Sequence, residues 1–312
     1  MKKLLAIPAV IALVLVIAAC GDKDSDPGSK TPNPSSSNGA DGPLGQVKWI
    51  DGETPSLEFP IPFNMEPESA FRIVKAGDGD EVRPGSVVLP RFVLYNAADG
   101  TEEGSTYEGG QDVPIIVASE EQPGYPFWQA MNGQRVGAEL IVAWKAEAPA
   151  DASAGQERTI WLGAFTITEV RPTRAAGEVI EQTDPNLPKV TLAKSGQPSI
   201  EVPAVPAPDH LVAETLIKGD GRAVESDDSL LLNYTGWVWG GEEFDSSWPM
   251  DQPTELSLAY LIEGWKQGLV GVPVGSQMLL VIPPELGYGS DDKPNIPPNS
   301  TLIFVVDIVF AA

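Results

Sequence analysis

TLIFVVDIVF, residues 301–310, decides how the second half of this chain folds. Apolar side chains recur there at every second position, which places them on one face of a β-strand: Leu302, Phe304, Val306 and Ile308. SLLLNYTGWV from Ser229 has the same period of two, and SQMLLVI from Ser276 carries Met278, Leu280 and Ile282 on one side. These segments predict neighbouring strands of one sheet.

One segment between the strands has helical spacing instead. Leu261, Ile262, Trp265 and Leu269 fall at i, i+1, i+4 and i+8, which is the pattern of a helix with one apolar face. A sheet and a helix that each carry one apolar face bury them against each other. The sequence therefore predicts an α+β fold, in which an antiparallel sheet packs on a single short helix.

The chain also contains an internal repeat. PSLEFP at 55–60 recurs as PSIEVP at 198–203, and IVKAGDGDEV at 73–82 recurs as LIKGDGRAV at 216–224. The offsets, 143 and 142 residues, agree within one position, which chance similarity of short words would rarely give. We predict two domains, 46–171 and 191–312, joined by a polar, Pro-containing linker at 172–190.

The N-terminus has the features of an export signal. Two lysines precede an apolar run from Leu4 to Ala19, which is shorter than the roughly 20 residues that span a bilayer. VIAAC resembles a bacterial lipobox, so 1–19 is predicted to be a lipoprotein signal peptide and Cys20 the lipidated residue. Residues 20–45 are polar and rich in Ser and Pro, which predicts a disordered tether. We expect an exported, extracytoplasmic protein anchored to the cell membrane by lipid.

Composition excludes several classes of function. With 44 acidic and 20 basic residues the formal net charge is -24, which repels phosphate backbones and argues against nucleic acid as a partner. A single cysteine gives neither a disulfide framework nor a thiolate metal site. GDGR at 219–222 lacks the strand-loop-helix surroundings of a dinucleotide site. No cofactor or metal is expected.

GEEFDSSWP, residues 241–249, places the carboxylate of Asp245 between Phe244 and two serine hydroxyls. Such a group could belong to a hydrolase centre, a metal site or the polar rim of an apolar pocket. The one histidine, His210, lies in the distant stretch PAPDH and would have to fold back to act as a base. The acid pairs Asp227-Asp228 and Asp291-Asp292 lack the spacing of a calcium loop, which favours solvated turns.

Six short motifs occur in one order along the second copy: NYTG (233–236), FDSS (244–247), GW (264–265), VGS (274–276), GYG (287–289) and IPP (296–298). Together they resemble the FKBP-type peptidyl-prolyl cis-trans isomerases, over about Leu216 to Val309. The resemblance implies a twisted antiparallel half-barrel sheet wrapped on one short helix, with an apolar pocket between them. Because the chain carries a repeat, we expect two FKBP-like domains.

The resemblance also implies the role of eight residues. Trp265 would be the pocket floor, and its walls would be Tyr234, Phe244, Ile262 and Phe304. Tyr288 would donate a hydrogen bond to a substrate carbonyl, Ile296 would form the opposite lip, and Asp245 would lie on the rim beside Tyr234. The backbone amide of Ile262 would also bond the ligand. The implied ligands are proline-containing polypeptides, and a macrolide such as rapamycin is a further candidate.

The implied chemistry needs neither a proton transfer nor a metal. Rotation about a peptide bond loses amide resonance and crosses about 18 to 20 kcal/mol. The twisted X-Pro amide has a less polar carbonyl than the planar one, so an apolar cradle favours it relative to the ground state. An aromatic pocket with one or two placed donors is sufficient.

The first copy has lost part of this set. Trp128 keeps the floor position, but TEEGSTYEGG stands in place of the EEFDSS region and KAEAPADASAGQE in place of the loop that carries Tyr288. We predict a degenerate FKBP-like domain, although an altered pocket that binds something else stays open. For the whole chain two functions are considered: an isomerase that assists the folding of exported proteins, and a non-catalytic scaffold for proline-containing chains.

Overall fold

The computed structural model describes residues 42–107, 113–117, 126–146, 158–250 and 252–312. The chain divides into two compact units, the first ending at Val170 and the second running from Arg171 to Ala312. The predicted signal peptide, Cys20 and all but the last residues of the tether lie outside the described part. Within that part, no helix has the length and apolar character needed to cross a membrane.

The first unit is an antiparallel sheet with one helix. Its elements are β1 (Lys48–Ile50), β2 (Ser56–Glu58), β3 (Ser69–Lys75), β4 (Ser86–Asn96), β5 (Glu102–Ser105), β6 (Ile115–Val117), α1 (Pro126–Met131), β7 (Glu139–Lys145) and β8 (Ile160–Pro172). The strand order is β3-β7-β8-β4-β5, with β6 paired to β4, and β1 and β2 form a separate hairpin. Leu44, placed in the tether by the sequence, is buried in this unit, so its folded part begins before residue 46.

The second unit has a longer list of elements. They are β9 (Glu178–Val179), β10 (Lys189–Leu192), β11 (Pro198–Glu201), β12 (Val212–Lys218), β13 (Ser229–Val238), β14 (Glu243–Ser246), β15 (Thr254–Ser257), α2 (Glu263–Leu269), β16 (Gln277–Ile282) and β17 (Leu302–Ala311). The strand order is β14-β13-β17-β16-β12-β9, with β15 paired to β13. Except for β9, it repeats the order found in the first unit, hairpin included.

The inner face of the second sheet packs against α2. The predicted apolar faces of β16 and β17 are both buried in that core, together with Trp265 and Leu269 of the helix. A Cβ atom on Gly268 would lie 2.7 Å from Leu280 Cδ2, and one on Gly264 would overlap Ile282, so two glycines allow the helix backbone to lie close to β16. The predicted antiparallel sheet and short helix are confirmed, but α2 begins only at Glu263, after Leu261 and Ile262.

The outer face of the same sheet is covered by the hairpin of β10 and β11. Leu187, Val190, Ile200 and Val202 pack there against a buried set from the sheet that includes Leu279, Ile303 and Val305. Both faces of β16 and β17 are therefore buried. This explains why the positions between the predicted inner-face residues of these strands are mostly apolar as well.

The segment 172–190 is not the free linker that its polar composition predicted. Backbone groups attach it to the second sheet: Ala176 N–H donates to Gly275 O at 2.9 Å, and Ile180 N–H donates to Leu216 O at 2.8 Å. Within it, β9 pairs with β12. A polar segment can be held in this way because main-chain bonds are independent of side-chain type, and the unit begins at Arg171.

A buried carboxylate fixes the start of this segment. Asp307 on β17 is 2% exposed, and its Oδ2 accepts the Ala175 N–H at 2.9 Å while its Oδ1 accepts Gln277 Nε2 at 2.7 Å. Beside it, Asn233 Nδ2 donates to Thr173 O at 2.6 Å. Burial outweighs these hydrogen bonds and raises the pKa of Asp307 to about 6.

Candidate functional site

Four aromatic rings from three strands and the helix meet on the inner side of the second sheet. The Trp265 ring lies 5.1 Å from Phe304 and 5.6 Å from Tyr234, measured between centroids, and Phe244 lies 5.5 Å from Phe304. All three contacts are edge-to-face, at interplanar angles of 79° to 89°. Such packing fixes ring orientations, so the rings form a rigid apolar surface.

Strand alternation explains this meeting. Tyr234 on β13 lies opposite Val306 of β17, and Phe304 lies opposite Gly236, so both rings stand on neighbouring strands of one sheet. Phe244 reaches the same place from the edge strand β14. Trp265 is 3% exposed and stands in the first turn of α2, which brings it over the rings. The fold thus brings together the four aromatic residues that the sequence predicted for the pocket.

Gly236 makes room for two of these rings, and sequence reasoning used it only as one letter of the NYTG motif. A Cβ at this position would lie 2.7 Å from Phe244 Cζ and 2.8 Å from Phe304 Cε1. Such distances are too short for any real side chain, so both rings occupy the space above the glycine Cα. The only sequence signal was a glycine inside a β-strand, which suggests close approach of another group.

Asp245 lies at the edge of the ring cluster and is exposed. Its Oδ2 accepts a hydrogen bond from the Tyr234 hydroxyl at 2.6 Å, a short bond typical of a charged acceptor. Burial, together with this bond, raises the pKa of Tyr234 above its ordinary value. The hydroxyl therefore stays protonated and its ring is held in one orientation.

The loop between β16 and β17 places Tyr288 and Ile296 against the same core. Both pack on the cluster that contains Trp265 and Phe304. Gly289 follows Tyr288 with a φ of 57°, in the left-handed region that favours glycine, and its N–H returns to Pro284 O at 2.8 Å. Lys293 Nζ lies 5.8 Å from the centre of the Tyr288 ring. The turn thus holds the tyrosine ring beside the pocket.

Ile262 closes the remaining side, immediately before the helix. Its side chain packs on the core, and its carbonyl accepts the Trp265 N–H at 3.0 Å. Its own N–H has no hydrogen-bond partner among the described residues. All seven apolar residues of the predicted set therefore lie in or against one cluster, and Asp245 bonds to one of them.

The hydroxyls beside Asp245 are engaged in structural bonds. Ser247 Oγ accepts the Tyr234 N–H at 2.9 Å, and Ser246 Oγ lies 3.0 Å from Thr235 Oγ1. His210 is exposed and pairs with Asp209 at 3.0 Å. No Ser-His pair suited to nucleophilic catalysis forms from these groups.

The acid pairs are also accounted for. Asp228 is 6% exposed and accepts two hydrogen bonds from Arg222, at 2.8 and 2.9 Å, so the interpretation as a solvated turn was wrong there. Asp291 pairs with Lys293 at 3.3 Å. In the described part of the chain, no three His, Cys, Asp or Glu side chains converge on a metal position.

The first unit allows a position-by-position comparison with this site. Phe92 N–H donates to Thr106 Oγ1 at 2.9 Å and Thr106 N–H to Phe92 O at 3.0 Å, which are the same two bonds that join Tyr234 to Ser247. Phe92 is thus the counterpart of Tyr234, without a hydroxyl. The strand registers then place Gly104 where Asp245 stands and Leu94 where Gly236 stands.

The counterpart of Phe304 is a glycine. Ile167 and Ile308 make equivalent bonds, to Gly137 and Ala138 in one unit and to Gly275 and Ser276 in the other. Counting four residues back along each strand gives Gly163 and Phe304.

The space left at Gly163 is filled by neighbouring side chains. A Cβ there would overlap the Phe165 ring and lie 3.0 Å from Leu94 Cδ2. Phe165 also packs on Phe92, with ring centres 5.4 Å apart. The predicted floor residue of this unit, Trp128, has a side chain outside the described residues.

Comparisons with known proteins agree with the second unit. Residues 220–309 match the family described as FKBP-type peptidyl-prolyl cis-trans isomerase. A probable FK506-binding protein of Corynebacterium glutamicum is 38% identical over 116 residues, which is 37% of this chain and 98% of that relative. The FKBP-type peptidyl-prolyl cis-trans isomerase FkpA of Escherichia coli is 41% identical over 99 residues, which is 32% of this chain and 37% of FkpA. The crystal structure of FkpA matches at a TM-score of 0.31 with 35% identity, covering 39% of this chain and 51% of that one.

Proposed function

The chain belongs to the FKBP-type peptidyl-prolyl cis-trans isomerases, and from this premise we propose that its second unit isomerises X-Pro bonds in exported proteins. The observation that carries the proposal is the cluster of four rings formed by Tyr234, Phe244, Trp265 and Phe304. A proline ring fits an apolar aromatic cradle of this kind. The substrates are proline-containing polypeptides.

The proposed mechanism is non-covalent. The aromatic surface solvates the planar, polar X-Pro amide poorly, so the twisted transition state binds more tightly than the ground state. Two donors are proposed to bond the substrate, the Ile262 N–H and the Tyr288 hydroxyl. Each lowers the barrier when it bonds a carbonyl that flanks the rotating amide in a geometry reached only in the twisted state, because the rotating carbonyl itself becomes a weaker acceptor.

Asp245 is proposed to position the wall of the pocket rather than to transfer protons. Its bond to Tyr234 holds that ring against Trp265. We expect Asp245→Asn to lower kcat/KM about two- to fivefold, since an amide oxygen still accepts the bond but without a charge. The protease-coupled assay measures this ratio, and a fall to the buffer rate in Asp245→Asn would contradict the positioning role.

The first unit is proposed to be a degenerate copy without isomerase activity. It lacks the hydroxyl of Tyr234, the rim carboxylate and the Phe304 ring, and Leu94 and Phe165 fill the space between them. It keeps the strand order of the second unit. Loss of the site with retention of the fold leaves binding or spacing as its role.

We also propose that the protein acts outside the cytoplasm, attached through lipid on Cys20. The sequence VIAAC after the apolar run supports this location. Because the net charge of -24 disfavours anionic lipid surfaces, the acyl chains rather than a basic patch would hold the protein at the membrane. Metabolic labelling with a fatty-acid analogue, lost in Cys20→Ser, tests the anchor.

A protease-coupled assay of cis-to-trans conversion on short X-Pro peptides tests the isomerase. With the full chain we expect a rate well above buffer, reduced at least about tenfold in Trp265→Ala, which removes the floor and leaves a cavity. Tyr288→Phe should lower kcat more than it raises KM, because the lost bond belongs to the rotated state. Val270→Ala, an exposed change at the other end of α2, serves as the control.

The same assay separates the isomerase from a non-catalytic scaffold. If the full chain gives only the buffer rate, and the variants do not differ from it, the isomerase proposal is abandoned. Saturable binding of an X-Pro peptide under those conditions would instead identify a scaffold that holds proline-containing chains.

A further inference from the structure

A groove of about 750 Å³ lies beside β9, at the opposite edge of the second sheet from β14 and Asp245. Its walls are mostly apolar, with side chains from β9, β10, β12 and the intervening loop: Val179, Ile180, Leu187, Val190, Leu192 and Leu216. None of these residues belongs to the aromatic pocket. The groove is therefore a separate surface of the same unit.

Exposed apolar side chains concentrate in this groove. Val179 is 77% exposed, Leu192 42% and Ile180 36%. They account for three of the ten exposed large hydrophobic side chains in the described part of the chain, and all three line one depression. A single exposed apolar residue needs no explanation, but a contiguous set at a concave site is typical of a binding surface.

The groove borders an open sheet edge. β9 contains only Glu178 and Val179 and pairs with β12 on one side, while the described residues provide no strand on the other. Ile180 N–H bonds to Leu216 O, so alternation along the strand turns the N–H and C=O of Val179 away from β12. An extended chain can add to such an edge through main-chain hydrogen bonds.

The loop between β9 and β10, which forms part of the wall, is held in place before anything binds. Gln182 bridges three elements: its Nε2 donates to Pro188 O and to Glu214 Oε2, both at 3.1 Å, and its Oε1 accepts the Val190 N–H at 3.0 Å. Leu187 N–H donates back to Asp184 O at 3.3 Å. A wall fixed in this way does not have to be ordered at the moment of binding, which improves affinity.

The acidic residues at the groove favour a ligand that carries positive charge. Glu181, Asp184 and Glu201 line it, against Lys189 as the one lining base, and Glu178 stands on the same edge strand. The chain as a whole carries a net charge of -24. Both the local and the total charge attract basic polypeptide and repel acidic polypeptide.

We propose that the groove binds an extended segment of unfolded client polypeptide in which apolar and basic residues alternate. The segment lies along β9, places apolar side chains against Val179 and Leu192, and directs its basic side chains to the acidic rim. This inference rests on the proposed function, since the bound segment would hold a long client while its X-Pro bonds visit the aromatic pocket. The groove itself requires no proline.

The test uses the full chain and a labelled, proline-free peptide of Val-Lys-Leu-Thr repeated three times, with fluorescence anisotropy as readout. We expect saturable binding, about tenfold weaker for the matched peptide of Val-Glu-Leu-Thr. The double variant Val179→Ser and Leu192→Ser should weaken binding of the basic peptide about tenfold. Val270→Ser, an exposed apolar residue outside the groove, should leave it unchanged.

Several outcomes would overturn the proposal. If the acidic peptide bound as tightly as the basic one, the groove would not select its ligand by charge. If binding were lost in Trp265→Ala but kept in the double variant, the peptide would occupy the aromatic pocket rather than the groove. Self-association of the chain in sedimentation, abolished by the double variant, would identify a second copy as the occupant. Isomerisation of short X-Pro peptides should be the same in the double variant and the parent. If the parent lacks that activity, the proposed function fails while the groove measurement still stands.

Discussion

Replacing Gly236 by leucine will lower kcat/KM on X-Pro peptides at least about 100-fold, which corresponds to about 2.7 kcal/mol of transition-state stabilisation. The new side chain must occupy the space in which the Phe244 and Phe304 rings now stand, because even a Cβ there lies 2.7 to 2.8 Å from both. The rings are displaced into the pocket, and the proline loses its cradle. The protease-coupled assay gives the loss, and overpacking should cost about 1 to 3 kcal/mol of stability.

A second variant shows whether the loss arises from the pocket or from misfolding. In the first unit the equivalent positions hold leucine and glycine, Leu94 and Gly163, and that pair packs without conflict. Copying this arrangement takes three changes, Gly236→Leu, Phe304→Gly and Val306→Phe, because Phe165 fills the space at Gly163 and Val306 is its counterpart. We expect the triple variant to regain most of the lost stability and none of the activity. Recovery of activity in the triple variant would show that the open aromatic pocket is not the catalytic element.

The second large effect concerns the pH dependence of stability. Because the pKa of Asp307 is about 6 in the folded unit and ordinarily 3.8, the folded state binds a proton between these values that the unfolded state has released. The contribution of Asp307 to the free energy of unfolding is therefore fully present below about pH 4. It decreases by about 3 kcal/mol as the pH rises through 6. Asp307→Asn carries no charge to bury, so its free energy of unfolding relative to the parent should rise by about that amount between pH 4 and 7.

Hydrogen exchange at increasing urea, followed on peptides from β17, reports this difference for the second unit alone. Asp228→Asn is the matched control, because the pKa of Asp228 is shifted in the opposite direction from that of Asp307. Burial opposes ionisation of Asp228, but hydrogen bonds from Arg222 and the Glu225 N–H lower its pKa, so its stabilisation is present above the ordinary pKa and lost in acid. If the difference in free energy of unfolding between Asp307→Asn and the parent stayed constant from pH 4 to 7, it would contradict a raised pKa for the buried Asp307 carboxyl group.

Much of the second unit follows from its sequence. The period of two in β13, β16 and β17 predicted the strands, and the ordered motifs predicted which side chains would meet. Tyr234, Phe244, Trp265 and Phe304 do meet, because alternation places residues of paired strands on one face whenever the register is fixed.

Other features depend on contacts that no local pattern encodes. Gly236 is informative only once the two rings that occupy its space are known, and neither Phe244 nor Phe304 is its neighbour in sequence. Residues 172–190 looked like a linker because their side chains are polar, yet main-chain bonds to Gly275 and Leu216 hold them. The groove beside β9 was not predicted at all, since its lining residues come from five strands and the loop between β9 and β10.

The attachment of residues 171–190 changes what counts as one transferable module. The family match covers 220–309, but the carboxylate of Asp307 is satisfied only when Ala175 is present, and the outer face of β16 and β17 is covered only when β10 and β11 are. A fragment cut at the ends of the matched region would lack the Ala175 N–H that donates to Asp307 Oδ2 and would expose an apolar sheet face. In this chain the unit that keeps these contacts together is 171–312, about half as long again as the matched region.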